Sequence, residues 1–584
     1  MWDNFVLLET EKKDKDNYRN ILFVNPIDII VASHEDDLQN CLHKVEKALA
    51  NNYFVAGFIS YETGYLLEEA LHSCFPKSKA PLLWFGVYDA PHVNNQPFLS
   101  NFKSPYYLSA PSLSVKYSQY KSDIEKIKYL ISWGKTYQIN YTLKYGFNFY
   151  GDIVSFYSAL KKNQKVQYSA LIGHKNKFIL SLSPELFFRI KNKKITVKPM
   201  KGTATADTPS NWLAHDEKNL SENVMIVDLL RNDLGRICIP GTIKVDELYA
   251  VETYKTISQM TSTVSGMLRP NISATEIIKN IFPCGSVTGA PKIQSMKIIR
   301  SLENTPRGVY TGAIGYFSPQ GEAVFNVAIR TIELEKKNNN KYSGQMGVGS
   351  GIVYDSQARK EYHECRMKNM FLKKSMPKLG LIETMLCADG KIRHINMHLL
   401  RLKNSSRYFL IPCDTMKLKT ELKRYARKFK GKIRLRLVLR SDGRIKIEHQ
   451  QLPSGPTAVR HIGFSKYAIK SGNPFLFHKT TFRQLYDREY ARYSSRGYYD
   501  VIFCNEKKQI TEGTISNIFL RTKGKYYTPP LSCGLLNGIQ RQIFLKKIKA
   551  KEKVLYFSDL QKADEIILTN SIRGAKQVYL RDNC

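Results

Sequence analysis

A break beyond the middle of the chain most constrains how it can fold. Residues 356–374 have the pattern of an amphipathic helix. The stretch Lys373-Lys374-Ser375-Met376-Pro377 then has the character of a linker, because proline disfavours helix in the residue before it. The pattern restarts with a hairpin signal at Asp389-Gly390. A chain of 584 residues is also too long for one hydrophobic core. We therefore predict two domains, residues 1–375 and residues 376–584.

Hydrophobic periodicity predicts both helices and strands in each part, which is an α+β fold class. The helices predicted in the first part cover residues 36–51, 122–134, 221–230 and 356–374. The strands predicted there cover residues 54–61, 148–150, 178–181, 186–190, 195–198, 311–318, 323–334 and 345–353. Residues 91–111 are rich in Asn, Ser and Pro and are predicted to be a surface loop. After the linker we predict a hairpin of residues 379–387 and 392–394, followed by a helix over 398–409.

The net charge of +38 raises the question of nucleic acid. The 89 Lys and Arg residues are scattered as short pairs, without a basic arm or zinc-finger spacing, so a field that attracts small anions is the favoured reading. Ten cysteines without a CxxC pair indicate reduced thiols. The first residues lack a signal-peptide pattern, and no apolar run approaches the roughly 18–20 residues of a spanning helix. We expect a cytoplasmic protein that binds neither nucleic acid nor membrane.

Two lysines differ from the many others by their surroundings. Lys201 lies in the motif PMKGT, and Lys479 lies in the motif FHKTT. A lysine taken alone is most often a solvated surface charge, so only the neighbouring motifs can identify a reactive amine. Because the two lysines fall in different parts of the chain, the sequence suggests two consecutive chemistries on one polypeptide.

Acidic and glycine-rich segments follow one another through the first part. Three carboxylates lie in motifs near the ends of predicted elements, and they are Glu185, Glu222 and Glu364. The two that lie on predicted helices, Glu222 and Glu364, can face a shared Mg²⁺. The glycine-rich stretches 283–292 and 347–351 offer backbone amides to carboxylate oxygens, and Arg330 offers a bidentate clamp. Without further information these features predict an anion-binding metal enzyme.

Taken in order, these segments resemble the chorismate-utilising enzymes. The resemblance runs from about residue 120 to residue 371, through GKTYQINYT, SPE, PMKGT, SENVMIVDLLRNDLG, PCGSVTGAPK, AIRT, GVGSGIV and the EYHE helix. It implies an N-terminal chorismate-binding domain like anthranilate synthase component I, folded as a two-sheet α/β sandwich. It also implies that chorismate is the substrate of this part.

Two positions separate the members of this family. Gln138 stands where isochorismate-forming relatives carry the lysine that activates water, and Lys201 stands where anthranilate synthases carry alanine. This combination resembles the aminodeoxychorismate synthases, in which the lysine is proposed to attack ring carbon C2 before ammonia replaces it at C4. Gln259 stands where many relatives have a histidine, which leaves open whether that histidine is dispensable or catalysis is altered.

The resemblance also implies roles for the remaining motif residues. Glu185 matches the general acid and base, and Glu222 and Glu364 match the Mg²⁺ ligands. The positions that match contacts to other chorismate oxygens are Thr288, Tyr316, Arg330 and the amide of Gly349. The sequence contains no recognisable glutaminase block, so ammonia is expected from a separate class I glutamine amidotransferase subunit or from free ammonium.

The second part, from about residue 378 to residue 582, resembles the fold-type IV pyridoxal-phosphate enzymes. The matching motifs are HLLRL, HKTTFRQLYD, TEGTISN, GLLNGIQR and ADEIILTNS. The resemblance implies a class IV aminotransferase-like α+β domain with pyridoxal 5'-phosphate as cofactor, and leaves open a homodimer through this domain. The class includes aminodeoxychorismate lyase and amino-acid transaminases.

The class IV motifs imply a complete cofactor site. Lys479 matches the lysine that binds the cofactor covalently, and Glu512 matches the acid that pairs with the pyridine nitrogen. The positions that match phosphate contacts are Arg401, the Gly538-Ile539 turn and Ser571. The class usually has a further strand before the first hairpin, which this chain lacks. The second part is therefore expected to borrow packing from the first, or to be less active.

Fusion to a synthase favours a lyase in the second part, which would release pyruvate from aminodeoxychorismate and leave 4-aminobenzoate. A transaminase with amino-donor and keto-acid exchange stays open, since motifs in this class overlap. A non-catalytic scaffold or nucleic-acid-binding protein is the remaining alternative, but retention of both lysines and the matched carboxylates argues against it.

Overall fold

Strand-rich sequence dominates the first part of the chain. The computed structural model describes residues 3–14, 17–76, 80–99, 104–205, 215–253, 257–338, 341–452 and 460–581. The strands of the first part are β1 (Asn4–Glu9), β2 (Asn20–Val24), β3 (Asp28–Ala32), β4 (Phe54–Ile59), β5 (Leu83–Tyr88), β6 (His92–Asn94), β7 (Tyr106–Leu108), β8 (Ser112–Leu113), β9 (Gln138–Gly151), β10 (Tyr168–His174), β11 (Lys177–Ser183), β12 (Leu186–Lys191), β13 (Lys194–Lys198), β14 (Met200–Thr205), β15 (Lys244–Thr253), β16 (Ile257–Met267), β17 (Gly289–Ala290), β18 (Ala313–Phe317), β19 (Ala323–Val327), β20 (Thr331–Asn338) and β21 (Lys341–Ile352).

Helices of the first part separate these strands. They are α1 (Asp37–Ala50), α2 (Thr63–Leu67), α3 (Tyr117–Ser132), α4 (Ile153–Asn163), α5 (Glu217–Gly235), α6 (Ala274–Ile281), α7 (Lys292–Leu302), α8 (Ala358–Met367) and α9 (Met370–Lys374). Short 3-10 turns occur at Glu69–Cys74 and Gly285–Val287. Several helices show how local sequence sets an end: the side chains of Asp152 and Asp216 accept backbone N–H groups of the first turns of α4 and α5.

Two large sheets pack face to face in the first part. The described residues form an 11-stranded sheet in the order β17-β9-β21-β20-β11-β10-β1-β2-β6, with β7 and β8 beside β9. They also form a 10-stranded sheet in the order β14-β16-β13-β12-β19-β18-β4-β5-β3, with β15 beside β16. Val6 and Phe23 of the first sheet pack with Phe58, Trp84 and Ile314 of the second, so a buried core lies between them. The expected two-sheet sandwich with outer helices is confirmed.

Element bounds differ from the predictions where long-range pairing decides them. The helix predicted over 122–134 begins at Tyr117, and the loop predicted over 91–111 contains strands β6 and β7. The single strand predicted over 323–334 is two strands, β19 and β20, separated at Arg330 with φ of 52°. The helix predicted over 356–374 is likewise divided into α8 and α9. Hydrophobic periodicity does not reveal these interruptions, because the pattern of apolar residues continues through them.

The second part repeats the mixed architecture with smaller sheets. Its strands are β22 (Gly380–Ala388), β23 (Lys391–Ile392), β24 (Lys432–Arg440), β25 (Ile445–Gln451), β26 (His461–Phe464), β27 (Asp500–Cys504), β28 (Ile510–Gly513), β29 (Asn517–Thr522), β30 (Lys525–Thr528), β31 (Lys551–Glu552), β32 (Glu565–Asn570) and β33 (Gly574–Leu580). Its helices are α10 (Ile395–Phe409), α11 (Thr415–Ala426), α12 (Gln484–Ser494), α13 (Ile539–Lys547) and α14 (Phe557–Gln561), with 3-10 turns at Pro474–Phe477 and Leu531–Cys533.

These strands form two sheets among the described residues. The four-stranded sheet has the order β23-β22-β24-β25, and the eight-stranded sheet has the order β28-β27-β26-β33-β32-β29-β30-β31. Strict alternation in β24 explains its two faces: Ile433, Leu435, Leu437 and Leu439 are buried in the core, and the basic residues between them face the other way. This arrangement confirms the expected class IV α+β fold.

The two parts share one hydrophobic cluster. Tyr107 and Tyr150, from strands of the first part, are buried with residues that include Phe409 and Phe475 of the second. The Tyr150 hydroxyl donates a hydrogen bond to the Tyr408 carbonyl at 2.5 Å. Without the further strand, the second part was expected either to pack against the first part or to be less active. The structure shows that the second part packs against the first. No helix among the described residues is long and apolar enough to cross a membrane.

Candidate active sites

Lys201 lies on β14, at the edge of the 10-stranded sheet. The pairing of β14 with β16 shifts register between Lys201 and Thr203, and Gly202 at this bulge has φ of 74°, a conformation that favours glycine. The Lys201 Nζ donates a hydrogen bond to the Ser286 carbonyl at 3.3 Å. The bulge therefore turns the lysine towards the 3-10 turn that precedes β17.

Burial lowers the pKa of Lys201, and the positive charge of Lys368 lowers it further. The carboxylates of Glu222 and Glu185 oppose this shift but do not cancel it. Burial raises the pKa of Glu185, which is 4% exposed, although Ser286 and Lys201 act against the shift. Within the described part of the chain, Glu185 Oε1 has no hydrogen-bond partner. A lysine whose pKa is lowered thus lies near a carboxyl group whose pKa is raised.

The two predicted metal ligands approach this lysine from different elements. Gln138 Nε2 donates to Glu222 Oε2 at 3.3 Å, and Lys368 pairs with Glu364 at 2.7 Å. Lys368 also donates to the Gly349 carbonyl at 2.7 Å, which brings the glycine-rich stretch 347–351 to the site. Among the described residues no group of three His, Cys, Asp or Glu side chains is arranged to hold a metal. Two carboxylates still fit Mg²⁺, which is often bound by one or two carboxylates, waters and substrate oxygens.

Thr288 and Arg330 contact different segments of the first part. The Thr288 hydroxyl is fully buried and donates to the carbonyls of Gly285 at 3.1 Å and Cys284 at 3.3 Å. The Arg330 carbonyl accepts from Leu182 N at 3.2 Å, one residue before the Ser-Pro-Glu motif, and the Arg330 guanidinium lies against the Gln164 side-chain amide. Gln259 is buried on β16, opposite Thr203.

The structure separates Tyr316 from the other predicted residues. Its ring packs 5.8 Å from that of Phe23 in the core between the sheets, and the charges nearest its hydroxyl are those of Glu322, Arg189 and Arg19. Tyr310, in the same motif, instead lies near Lys368 and against Gly347. A Cβ at Gly347 would come within 2.2 Å of the Tyr310 ring, so only glycine leaves room for it.

Lys479 opens into a cavity of about 660 Å³ between the two sheets of the second part. The cavity is also lined by every cofactor residue that the class IV motifs imply: Arg401, Glu512, Gly538, Ile539 and Ser571. The Lys479 carbonyl accepts from Ile382 N at 2.7 Å, which fixes the lysine beside β22. Burial, together with the charges of Arg483 and Arg401, lowers the pKa of Lys479 to about 7.

Glu512 is the buried acid at the opposite wall. Its carboxylate accepts from Asn517 Nδ2 and Leu536 N, each at 3.2 Å, and from the Tyr486 hydroxyl at 3.3 Å. Burial raises the pKa of Glu512 to about 8 even with these donors. A positively charged ring nitrogen in the cavity would relieve this penalty, so the acid fits the pyridine end of pyridoxal phosphate.

A cradle suited to phosphate lies at the start of α13. Gly538 precedes the helix, and a Cβ there would come within 2.1 Å of Asn517 Oδ1. The first turn at Ile539 and the turn at Ser571 both face the cavity. Helix N-termini and hydroxyl groups are common phosphate ligands, so this end fits the cofactor phosphate.

Four residues of these sites escaped the sequence predictions. They are Lys368, Tyr310, Glu383 and Asp500. Glu383 holds Arg401, and Asp500 accepts backbone N–H groups from Val501 at 2.8 Å and Thr514 at 2.9 Å, which shapes the TEGTISN loop. None of the four lies within a motif singled out in the sequence. For Glu383 the usable signal was a charged residue in an otherwise apolar strand, the segment LIETML.

Comparisons with known proteins agree with this division. The sequence model described as chorismate binding enzyme matches residues 3–374, and that described as amino-transferase class IV matches residues 380–579. The chain is 37% identical over 287 residues to the chloroplastic aminodeoxychorismate synthase of Arabidopsis thaliana, covering 47% of this chain and 30% of that protein. It is 38% identical over 256 residues to anthranilate synthase component 1 of Saccharolobus solfataricus, covering 43% of this chain and 59% of that protein.

A solved structure supports the same fold. The crystal structure of anthranilate synthase component I from Streptococcus pneumoniae TIGR4 matches with a TM-score of 0.52 and 25% identity. The match covers 62% of this chain and 93% of that one. The chain spans less than two thirds of the length of either sequence relative, and the two relatives carry different activities in their names. The residues of the sites must therefore decide between reactions.

Proposed function

The chain belongs to the chorismate binding enzymes, and on that premise we propose that it makes 4-aminobenzoate in two consecutive reactions. The first part, residues 1–375, aminates chorismate to 4-amino-4-deoxychorismate with ammonia from a separate class I glutamine amidotransferase. The second part, residues 376–584, binds pyridoxal phosphate and eliminates pyruvate from that product. The enzyme acts in the cytoplasm.

The observation that carries the first reaction is the setting of Lys201. A lysine must be neutral to attack carbon, and burial lowers the pKa of this one. An anthranilate synthase does not need such an amine. The neighbouring Gln138 cannot deprotonate water as a neutral lysine can, so direct hydroxylation is disfavoured. Together, Lys201 and Gln138 support amination through the lysine.

The proposed steps balance as chorismate plus ammonia giving aminodeoxychorismate plus water. The Lys201 Nζ attacks ring carbon C2, both ring double bonds shift by one position, and the C4 hydroxyl leaves as water with a proton from Glu185. Ammonia then adds at C4, both double bonds return to their first positions, and the C2–Nζ bond breaks. Glu185 takes back the proton that the nitrogen releases, a role suited to a buried carboxyl group whose pKa is raised.

Glu222 and Glu364 would hold Mg²⁺ in this part, and the bound ion would supply positive charge against a chorismate carboxylate. Lys368, beside Glu364, and Arg330 are proposed to bind anionic oxygens of the substrate. Thr288 keeps the 3-10 turn in place through its two hydrogen bonds. The Gly349 amide is proposed to contact substrate on the same side.

Pyridoxal phosphate supplies an electron sink when bound in the second part. Lys479 takes the proton from ring carbon C4, since its lowered pKa leaves much of the amine neutral near pH 7. The C3–oxygen bond then breaks, and the departing enolpyruvate takes up a proton to become pyruvate. The ring that remains is aromatic. Glu512 would pair with the pyridine nitrogen, and Arg401, Ile539 and Ser571 would hold the phosphate.

One incubation tests this proposal. Purified chain is given chorismate, Mg²⁺ and pyridoxal phosphate, with either ammonium or glutamine as the nitrogen source. We expect 4-aminobenzoate and an equal amount of pyruvate with ammonium, and neither with glutamine alone. Efficient use of glutamine would contradict the separate glutaminase. Aminodeoxychorismate without 4-aminobenzoate, together with amino exchange between an amino acid and a keto acid, would make the second part a transaminase.

A further inference from the structure

The cavity of the second part carries more positive charge than a cofactor with one phosphate group requires. Its lining has six basic side chains against two carboxylates. The basic ones are Arg401, Arg434, Arg436, Lys479, Arg483 and Arg573. Two of these are already matched: Arg401 pairs with Glu383 at 2.7 Å, and Arg483 pairs with Asp487 at 3.3 Å. An excess of cations remains on the walls and raises the local concentration of anions.

Arg434 and Arg436 are neighbours on β24. Alternation places both side chains on the face of the four-stranded sheet opposite the apolar core, and cross-strand register puts Arg436 beside Thr384, another cavity residue. Both arginines are half-buried. A pair of guanidinium groups at this spacing can hold one carboxylate by several donors.

Neighbouring polar groups engage this pair only in part. Arg434 donates to Gln450 Oε1 at 3.3 Å, which is a neutral partner. Glu448 lies opposite Arg436 in register. Its ion pair, at 2.6 Å, is with Lys446, which lowers the pKa of Glu448 most, and the charges of Arg436 and Arg434 lower this pKa further. Across the described ranges of the chain, no ion pair joins Arg434 or Arg436 to a carboxylate.

The position of the pair relative to Lys479 suits a substrate group. Lys479 and Thr480 run beside one edge of β22, and β24 runs beside the other. Two strand spacings separate the Lys479 backbone from β24, or roughly 10 Å. The phosphate cradle at Ile539 and Ser571 lies on the eight-stranded sheet and its loops, a different wall. Arg434 and Arg436 therefore line a part of the cavity that is separate from the turns at Ile539 and Ser571.

We propose that Arg434 and Arg436 form a carboxylate-binding site. This site selects amine substrates that carry a carboxylate away from the carbon that reacts at Lys479. This inference rests on the proposed pyridoxal-phosphate chemistry at Lys479. It narrows the substrate class to ring amines with two carboxylates, and it disfavours neutral amino acids, whose side chains would leave the arginines without a partner. Aminodeoxychorismate belongs to the favoured class.

The test uses the cofactor-loaded full chain with Arg434→Gln and Arg436→Gln together. Arg440→Gln is the matched control, because Arg440 lies on the same strand and face but outside the cavity and is exposed. The double variant should keep the cofactor absorbance of the wild type. We expect its KM for aminodeoxychorismate to rise at least about tenfold with kcat changed less than about threefold, the pattern of lost binding. The control should match the wild type.

Chorismate supplies a probe that separates this inference from the proposed lyase activity. It carries both carboxylates but no amine, and cofactor absorbance reports only on the second cavity. We expect chorismate to perturb that absorbance in the wild type and to bind at least about tenfold more weakly in the double variant, even if no pyruvate is released. An unchanged dissociation constant, no perturbation in the wild type, or loss of bound cofactor in the double variant would overturn the carboxylate site. Absence of pyruvate alone would overturn only the lyase.

Discussion

Arg401 donates two hydrogen bonds to Glu383, from Nε to Oε1 at 2.9 Å and from Nη2 to Oε2 at 2.7 Å. His398 Nδ1 lies 2.6 Å from the same Oε2. Burial raises the pKa of Glu383, but Arg401 and His398 outweigh burial and lower the pKa to about 2. The carboxylate is therefore ionised at neutral pH and fixes the guanidinium that is proposed to hold the cofactor phosphate.

Removing this carboxylate should weaken both stability and cofactor binding. In Glu383→Gln the Arg401 charge stays buried without its partner, and breaking such a pair costs about 3–5 kcal/mol. We expect a lower midpoint in denaturant and a weaker dissociation constant for pyridoxal phosphate, measured by absorbance titration. Glu448→Gln, at a half-exposed carboxylate on β25, is the control and should change neither. Wild-type cofactor affinity in Glu383→Gln would show that Arg401 needs no such support.

Glu185→Gln tests the acid and base of the first reaction. The amide cannot give a proton to the leaving hydroxyl or take one back, so kcat for amination should fall by roughly 10²–10⁴. KM for chorismate should change little, because Gln keeps the volume of the side chain. The measurement is aminodeoxychorismate formation from chorismate and ammonium. Glu247→Gln, an exposed position on β15, should retain full activity, and equal activity in Glu185→Gln would exclude the assigned role.

The lowered pKa of Lys479 predicts how its reactivity depends on pH. Only the neutral amine reacts, so in cofactor-free protein the rate of acylation at Lys479 should rise about tenfold per pH unit below the pKa and level off above it. With a pKa of about 7, the plateau should begin near neutral pH. Mass spectrometry of the labelled peptide measures this rate. A plateau only above about pH 10, the value of an ordinary lysine, would contradict the burial argument.

The shared cluster predicts that the first part stabilises the second. Tyr150 is fully buried and contacts Tyr408 and Phe409 with ring centroids 5.2 Å away. Tyr150→Ala should lower the free energy of unfolding by about 3–5 kcal/mol, the usual cost of removing a buried aromatic ring. Denaturation followed by cofactor absorbance measures this loss. Tyr129→Ala, at a ring that is 61% exposed, should stay within about 0.5 kcal/mol of the wild type.

Short motifs predicted residues that share one cavity, because these residues lie within the motifs. Lys479, Glu512, Ile539 and Ser571 each belong to a quoted motif, and all of them line one cavity. The α+β fold class followed from hydrophobic periodicity, and the architecture of each part followed from the order of the motifs. Glu383 was missed because its importance depends on Arg401, which is distant in the sequence but adjacent on the neighbouring helix.

The first site was harder to predict where a motif offers two similar residues. Tyr310 and Tyr316 both lie in GVYTGAIGYF, and sequence alone does not say which one turns into the core between the sheets. Pairing of β18 with β4 and β19 decides this, by turning Tyr316 towards Phe23 between the sheets. Lys368 was missed for a related reason, since a lysine on a basic helix gives no signal until Gly349 is placed beside it.

Complementation between two variants tests the central claim most directly. Lys479→Ala should convert chorismate and ammonium to aminodeoxychorismate but release no pyruvate. Lys201→Ala should aminate chorismate at least about tenfold more slowly, which corresponds to an activation free energy higher by about 1.4 kcal/mol. Mixing the two variants should restore 4-aminobenzoate, because each retains the site that the other lacks. If Lys479→Ala still yields 4-aminobenzoate at the wild-type rate, or if Lys201→Ala aminates chorismate normally, the account of two lysines performing consecutive reactions is contradicted.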